Sequence, residues 1–250
     1  MSLRDSLSTK LRRFAPLRIA YRALLGNEGR ERRRKLVAFY SQFLQPRDLV
    51  FDIGANIGVY SEVFQLIGAR VVAIEPNPEC AEQIAWTTSR DSVTIVQAAV
   101  GSESGVCKLF VNEVSEISTV SPDWVELERV NSGKWVKQVE VPMVTIDELV
   151  ARHGMPRFLK LDVEGFELEA LSGMTAQPDY LSFEFHRVTL DKNKACFDKL
   201  SPSTKFDFVI SEPFKFEIGH WVSREEVLNR LNATPSSTLG DVFARLDRSN

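Results

Sequence analysis

No apolar run in this chain approaches the ~20 residues that a bilayer-spanning helix needs. The N-terminus lacks an uninterrupted apolar h-region, so a secretory signal peptide is not expected. Cysteine is scarce: Cys80, Cys107 and Cys196 are the only three in 250 residues. They are scattered, odd in number and never arranged as C-x-x-C, which excludes a disulfide framework and predicts reduced thiols in a cytoplasmic protein. Charge of one sign is missing too. The net value of −3 gives no global field toward nucleic acid or acidic lipid. There is no internal repeat and no low-complexity linker. What remains is the composition of an ordinary globular protein, long enough to bury roughly 70–75% of its unfolded surface.

The chain is organised around Leu49-Val50-Phe51-Asp52-Ile53-Gly54-Ala55-Asn56-Ile57-Gly58-Val59-Tyr60. A short apolar run ends in an acid, a small-residue turn follows, and then a helical pattern begins. A parallel α/β sheet presents a strand end to a small charged ligand in this way. Glycines let the backbone approach that ligand, and the next helix points unpaired N–H groups at it. The dinucleotide fingerprint G-x-G-x-x-G is absent, because Ala-Asn-Ile separates Gly54 from Gly58. Asp52 would also repel phosphates, so an acid here suits a cation-bearing ligand.

Residues 1–47 are locally basic, with two or three helices interrupted at Pro16 and Gly26. Two readings stand: helices packed on the main domain with solvated Arg faces, or a surface for peripheral contact with the inner face of a membrane. From residue 48 to 250 a single α/β domain is expected. Strands are predicted at 49–51, 70–74 and 93–96, alternating with helices at 59–67 and 81–89, which implies parallel strands with right-handed crossovers. The stretches 106–111 and 137–144 alternate like an inserted antiparallel hairpin around a polar segment, 115–134. Thr145 is an expected helix cap with Glu148 in the capping-box position. Further strands are predicted at 157–162 and 180–185. Helices are predicted at 163–171, 193–200 and 223–231, the last capped by Ser223. The stretches 206–210 and 214–218 are read as a terminal pair of strands, and the last residues as a mobile tail.

Polar residues recur at the predicted strand ends: Asp52, Glu75, Gln97, Asp162 with Glu164, and Glu184 with His186. Glu75 lies about twenty residues beyond the glycine turn, where an acid can accept bonds from both ribose hydroxyls of an adenosine. Its alternative role is that of a helix first-turn acid.

Asp52-x-Gly-Ala-Asn-x-Gly58, Glu75-Pro76-Asn77-Pro78 and Lys160-Leu161-Asp162-Val163-Glu164-Gly165 together resemble the FkbM-type methyltransferases. These are class I S-adenosylmethionine-dependent enzymes, and the resemblance spans about residues 36–186. It implies a Rossmann-like, seven-stranded, mostly parallel sheet with one antiparallel strand, S-adenosylmethionine as cofactor, and O-methylation. By position, Asp52, Gly54, Asn56 and Gly58 would hold the amino-acid end of the cofactor and Glu75 its ribose. Asn77 and Gln97 would lie near the adenine. The implied acceptor is a hydroxyl of a small molecule or glycan, with sugar units the leading class.

An acceptor hydroxyl must lose its proton in line with the methyl. Lys160, Asp162, Glu164 and His186 compete for this work. Asp162 and Glu164 either hold Mg²⁺, position the acceptor, or serve the following helix as cap and dipole partner. Lys160 either neutralises Asp162 or stabilises an alkoxide. His186 is a general-base candidate beside Glu184. Other classes fare worse. A nicotinamide oxidoreductase needs the missing glycine pattern. A nucleic-acid methyltransferase would use the basic N-terminus, but base-pocket and RNA-binding signatures are lacking, so no nucleic-acid partner is expected. A partner- or membrane-binding module that merely retains the pocket leaves Asp162, Glu164 and His186 without a task.

Overall fold

The computed structural model describes residues 26–112, 118–128, 135–211 and 214–246. The expected helices before residue 26 and much of the polar insertion lie outside the described residues. The first described helix, α1 (Gly26–Tyr40), is followed by β1 (Leu49–Ile53), α2 (Val59–Ile67), β2 (Arg70–Ile74), α3 (Pro78–Thr87) and β3 (Val93–Val96). Next come β4 (Ala99–Val100), β5 (Gly105–Asn112), α4 (Pro122–Glu128) and β6 (Trp135–Val144). The remainder is α5 (Ile146–His153), β7 (Phe158–Leu161), α6 (Glu167–Ser172), β8 (Tyr180–His186), α7 (Leu190–Asp198), β9 (Lys205–Ile210), α8 (Arg224–Asn232) and β10 (Leu239–Arg245).

Seven strands form one sheet in the order β3-β2-β1-β7-β8-β10-β9. The first five are mutually parallel, and β10 runs antiparallel to both of its neighbours. The order reverses beside β1, so a crevice opens at the carboxyl ends of β1 and β7. All five residues of β1 are buried, as expected for a strand with helices on both faces. Alternate side chains feed opposite cores. Val50 joins Tyr40, Phe64, Ile84 and Phe243 on one face. Phe51 joins Leu149, Leu171, Phe197 and Leu231 on the other. Among the described residues, no helix is long and apolar enough to cross a membrane.

The inserted hairpin is present as β5 and β6, and β4 pairs with β6 to give a separate three-stranded sheet. Thr145 Oγ1 accepts from Glu148 N (3.1 Å) and Ser223 Oγ from Glu226 N (3.2 Å), so both expected caps form.

Three expectations fail. The stretch 214–218 alternates in polarity but is no strand. Its end is held instead by Asp207, whose carboxylate accepts from Ile218 N (3.1 Å) and Gly219 N (2.9 Å). The outer edge of β9 is met by Val222, in an isolated bridge to Phe206. The expected mobile tail contains β10, which fills the gap between β8 and β9. The helix expected from residue 163 starts only at Glu167. Glu164 and Gly165 adopt φ values of 54° and 86°, which keep the chain out of the helix. Glu167 Oε1 takes the N–H groups of Val163 (3.1 Å) and Gly165 (3.3 Å), and Asp162 does not cap the helix.

Candidate active site

Two clefts lie at the carboxyl ends of the parallel strands. The first, about 610 Å³ with its mouth, is lined by the β1 turn (Gly54, Asn56), the end of β2 (Glu75, Pro76) and the β7 turn (Asp162, Glu164). Ile74, Ala98, Val100 and Leu109 give it an apolar floor, and Ser118–Val120 of the insertion close one side. Among the described residues its lining holds three carboxyls and neither Lys nor Arg.

Glu75 is buried, and its two oxygens are fixed separately. Oε2 accepts from Asn56 N and Oε1 from Asn77 N, both at 2.8 Å. Each oxygen keeps lone-pair capacity for one more donor, which a vicinal diol can supply. Burial pushes its carboxyl up to about 7, against the pull of those two N–H groups.

The glycines of the β1 turn serve the turn itself. Gly54 has φ +76°, and a Cβ there would stand 1.7 Å from the Asp162 carbonyl oxygen. Gly58, at φ +82°, abuts Ile84 of α3. The close approach that demands Gly54 is therefore to the neighbouring strand's own backbone.

Behind this cleft sits a buried charge group. Lys160 on β7 is opposite Asp52 on β1 and is 1% exposed. Its Nζ donates to Asp162 Oδ2 (2.7 Å) and lies 4.4 Å from the Tyr60 ring centroid. Burial opposes the ammonium charge, but Asp162, Asp241, Tyr60 and Asp52 outweigh it and raise the lysine above its usual range. A lysine so held is a permanent cation and not a proton acceptor. Asp52 accepts from Ser61 Oγ (2.6 Å), and its other oxygen is buried with no hydrogen-bond partner. Burial pushes the Asp52 carboxyl up, and Lys160 and Ser61 pull it partly back.

The second cleft, about 700 Å³, adjoins the first across the β7 turn. It is walled by Trp124 of α4, Glu167 and Leu168 of α6, Glu184 and His186 of β8, and Asn193 of α7. His186 Nε2 lies 3.3 Å from Glu184 Oε2 but off hydrogen-bonding geometry, and its ring meets Trp124 edge-on at 4.7 Å. Burial, then Asp162, Glu167 and Asp241, push the Glu184 carboxyl up. Burial, then Glu184 and Asp162, do the same to Glu164, against His186. The insertion is fastened to the turn between the clefts. Thr119 Oγ1 donates to the Glu164 carbonyl (2.8 Å), and the Trp124 ring occupies the space a Cβ on Gly165 would need.

Of the residues singled out in the sequence, Gly54, Asn56, Glu75, Asp162 and Glu164 line the first cleft and His186 the second. Asp52, Gly58, Asn77, Gln97 and Lys160 line neither. Asn77 is 1% exposed and caps α3, its Oδ1 accepting from Glu79 N (3.1 Å). Gln97 is exposed, and its neighbour Ala98 supplies the cleft wall. Asp162 and Glu164 belong to no metal-binding group: among the described residues no three His, Cys, Asp or Glu side chains converge as a metal site would require. Glu167 and Trp124 went unrecognised in the sequence. Glu167 carried a signal, an acid two residues beyond Gly165 at a helix start, and Trp124 carried none.

The chain is 29% identical over 135 residues to the hexuronic acid methyltransferase AglP of Haloferax volcanii, covering 51% of this chain and 50% of that protein. It is 30% identical over 158 residues to the 31-O-demethyl-FK506 methyltransferase FkbM of Streptomyces tacrolimicus, covering 52% of this chain and 61% of that protein. The match thus spans one half to about three fifths of these relatives. Among solved structures, the precorrin-6y C5,15-methyltransferase of Geobacter metallireducens GS-15 aligns with 85% of this chain and 88% of its own, at TM-score 0.45 and 13% identity. The family model for the methyltransferase FkbM domain matches residues 52–221, well over half of the sequence, and the chain belongs to that family.

Proposed function

We propose that this chain is an S-adenosylmethionine-dependent O-methyltransferase acting on a hydroxyl of a sugar, glycan or small natural product. The observation that carries the reading is the first cleft's lining: an apolar floor, the diol-ready carboxylate of Glu75, and, among the described residues, acids with no Lys or Arg. A phosphate-bearing dinucleotide would be repelled there, whereas a nucleoside with a cationic amino-acid tail is matched in shape and sign. Glu75 holds the ribose hydroxyls, and Asp162, itself held by Lys160, faces the cationic end. When bound, S-adenosylmethionine supplies an electrophilic methyl group. His186, packed edge-on against Trp124 at the second cleft, takes the proton of the acceptor hydroxyl. The relatives named for a hexuronic acid and for 31-O-demethyl-FK506 support the transfer to oxygen-bearing acceptors.

Calorimetry with S-adenosylhomocysteine tests the assignment. Glu75→Ala should weaken binding by about 10–100-fold, the loss of two hydrogen bonds to a charged acceptor. His186→Ala should bind it as the wild type does. An unchanged affinity in Glu75→Ala refutes the ribose assignment, and no heat with the wild type refutes the reading as a whole.

A further inference from the structure

Two buried ring nitrogens in the second cleft, Trp124 Nε1 and His186 Nε2, have no hydrogen-bond partner among the described residues. Four other polar side chains of the same cleft are used inside the protein. Ser121 Oγ accepts from Trp124 N (3.2 Å), and Glu167 Oε1 accepts from Val163 N and Gly165 N. Thr189 Oγ1 donates to the His186 carbonyl (3.3 Å), and Asn193 Nδ2 to the Glu184 carbonyl (3.4 Å). The two open nitrogens belong to rings in contact, which meet edge-on at 75° with centroids 4.7 Å apart. The Trp124 ring is also fixed in place. It is 6% exposed, and its Cε3 lies 2.8 Å from where a Cβ on Gly165 would stand. An indole N–H can only donate, and the unprotonated nitrogen of a neutral imidazole can only accept. Such groups find partners when buried. An open donor and an open acceptor on adjoining rings of a cleft wall therefore call for a ligand group that offers both a lone pair and a proton.

Resting on the methyltransferase reading, we propose that Trp124 is an acceptor-binding residue: its indole N–H donates to the oxygen of the same hydroxyl whose proton His186 Nε2 accepts. A hydroxyl is the group that meets both demands at one atom, since it donates once and keeps lone pairs free. An ether or a ketone offers Trp124 a lone pair but gives His186 no proton. An ammonium group offers protons but leaves Trp124 no lone pair. The pair thus selects alcohols over amines at neutral pH. It also separates substrate from product, because the methylated product is an ether, which keeps the bond to Trp124 and loses the one to neutral His186. The packing against Gly165 and the bond to Ser121 orient the indole before any acceptor arrives, so little freedom is lost when the bond forms.

Proton–nitrogen correlation NMR of the indole groups reads this bond directly, on the full chain pre-loaded with S-adenosylhomocysteine. Trp124→Phe keeps a ring and removes the N–H, so its spectrum identifies the Trp124 signal among those of the four tryptophans. Where that variant does not fold, Trp86→Phe, Trp135→Phe and Trp221→Phe identify the signal by elimination. Methyl glucoside should move the Trp124 signal on titration, and its fully O-methylated ether should bind at least about fivefold more weakly. Trp124→Phe and His186→Phe should each weaken methyl glucoside by about three- to tenfold and leave the affinity for S-adenosylhomocysteine as in the wild type. Because one hydroxyl serves both rings, the double variant should lose less than the product of the two single losses. A Trp124 signal unmoved by methyl glucoside overturns the proposal, as does unchanged glucoside affinity in Trp124→Phe or equal binding of the ether. Absence of calorimetric heat with S-adenosylhomocysteine would instead overturn the cofactor reading, which keeps the two failures apart.

Discussion

Glu75 illustrates how one buried side chain sets the behaviour of a cleft. Its folded value of about 7 stands above the ordinary 4.5 because burial removes water from the carboxylate. Between those two values the folded state holds more protons than the unfolded chain. This group therefore favours the fold at low pH, and its contribution is lost as pH rises through about 7. Binding has the opposite sign. A ribose diol prefers the ionised acceptor, so affinity for S-adenosylhomocysteine should rise by about 5–10-fold from pH 6 to pH 8. Calorimetry across that range should show the rise in the wild type and a flat profile in Glu75→Gln. Gly54 is the other decisive residue. A methyl group there meets the Asp162 carbonyl oxygen at 1.7 Å in a left-handed conformation. Gly54→Ala should cost about 2–4 kcal/mol in urea denaturation. The sequence showed that position 54 needs glycine but not the reason, because the atom that forbids a Cβ lies more than a hundred residues away.

At the scale of elements, α1 shows how a helix with a basic exposed face becomes part of the core. Phe39 and Tyr40 enter an aromatic cluster with Phe43, Phe64, Phe158, Phe216 and Phe243. Tyr40 is fully buried, and its hydroxyl has no hydrogen-bond partner. Burial, then Tyr60 and three acids, raise its phenol well above the ordinary range, so the ring is permanently neutral. Tyr40→Ala should lose about 3–5 kcal/mol by cavity formation. Tyr40→Phe should hold or gain about 1 kcal/mol, because it removes an unsatisfied polar atom. Thermal melts of the pair separate the two contributions. Leu36, Phe39, Tyr40 and Phe43 recur at helical spacing, which puts them on one apolar face. The β7 turn was harder to read. The run from Val163 to Leu171 has helical spacing, but Glu167 turns back to take the N–H groups of Val163 and Gly165, and a local side-chain bond beats the periodicity.

For the whole molecule, β1, β2 and β7 were legible because each is a short run with an acid at its end, Asp52, Glu75 and Asp162. The far side of the sheet was not. Phe214, Phe216 and Ile218 alternate as a strand would, yet β9 already has β10 as partner and its outer edge is met by Val222. Conversely, Leu239–Arg245 carries Asp241 in its middle, which disguised a strand whose Val242, Phe243 and Ala244 are wholly buried. Asp241 sits across from Glu184 on β8, so the disguise lies beside the chemistry. Ending the chain after Thr238 should therefore abolish the cooperative thermal transition followed by circular dichroism, where loss of a tail would leave it intact.

The position of β10 also sets a timetable for synthesis. Until residue 245 has cleared the exit tunnel, β8 presents one full edge of unpaired backbone groups, ready to pair with any other nascent strand. At about 5–20 residues per second, that edge stays open for several seconds after β8 itself emerges. Throughout that interval Glu184 and His186 project from a strand with one neighbour, so the second cleft is among the last parts of the molecule to take shape on the ribosome.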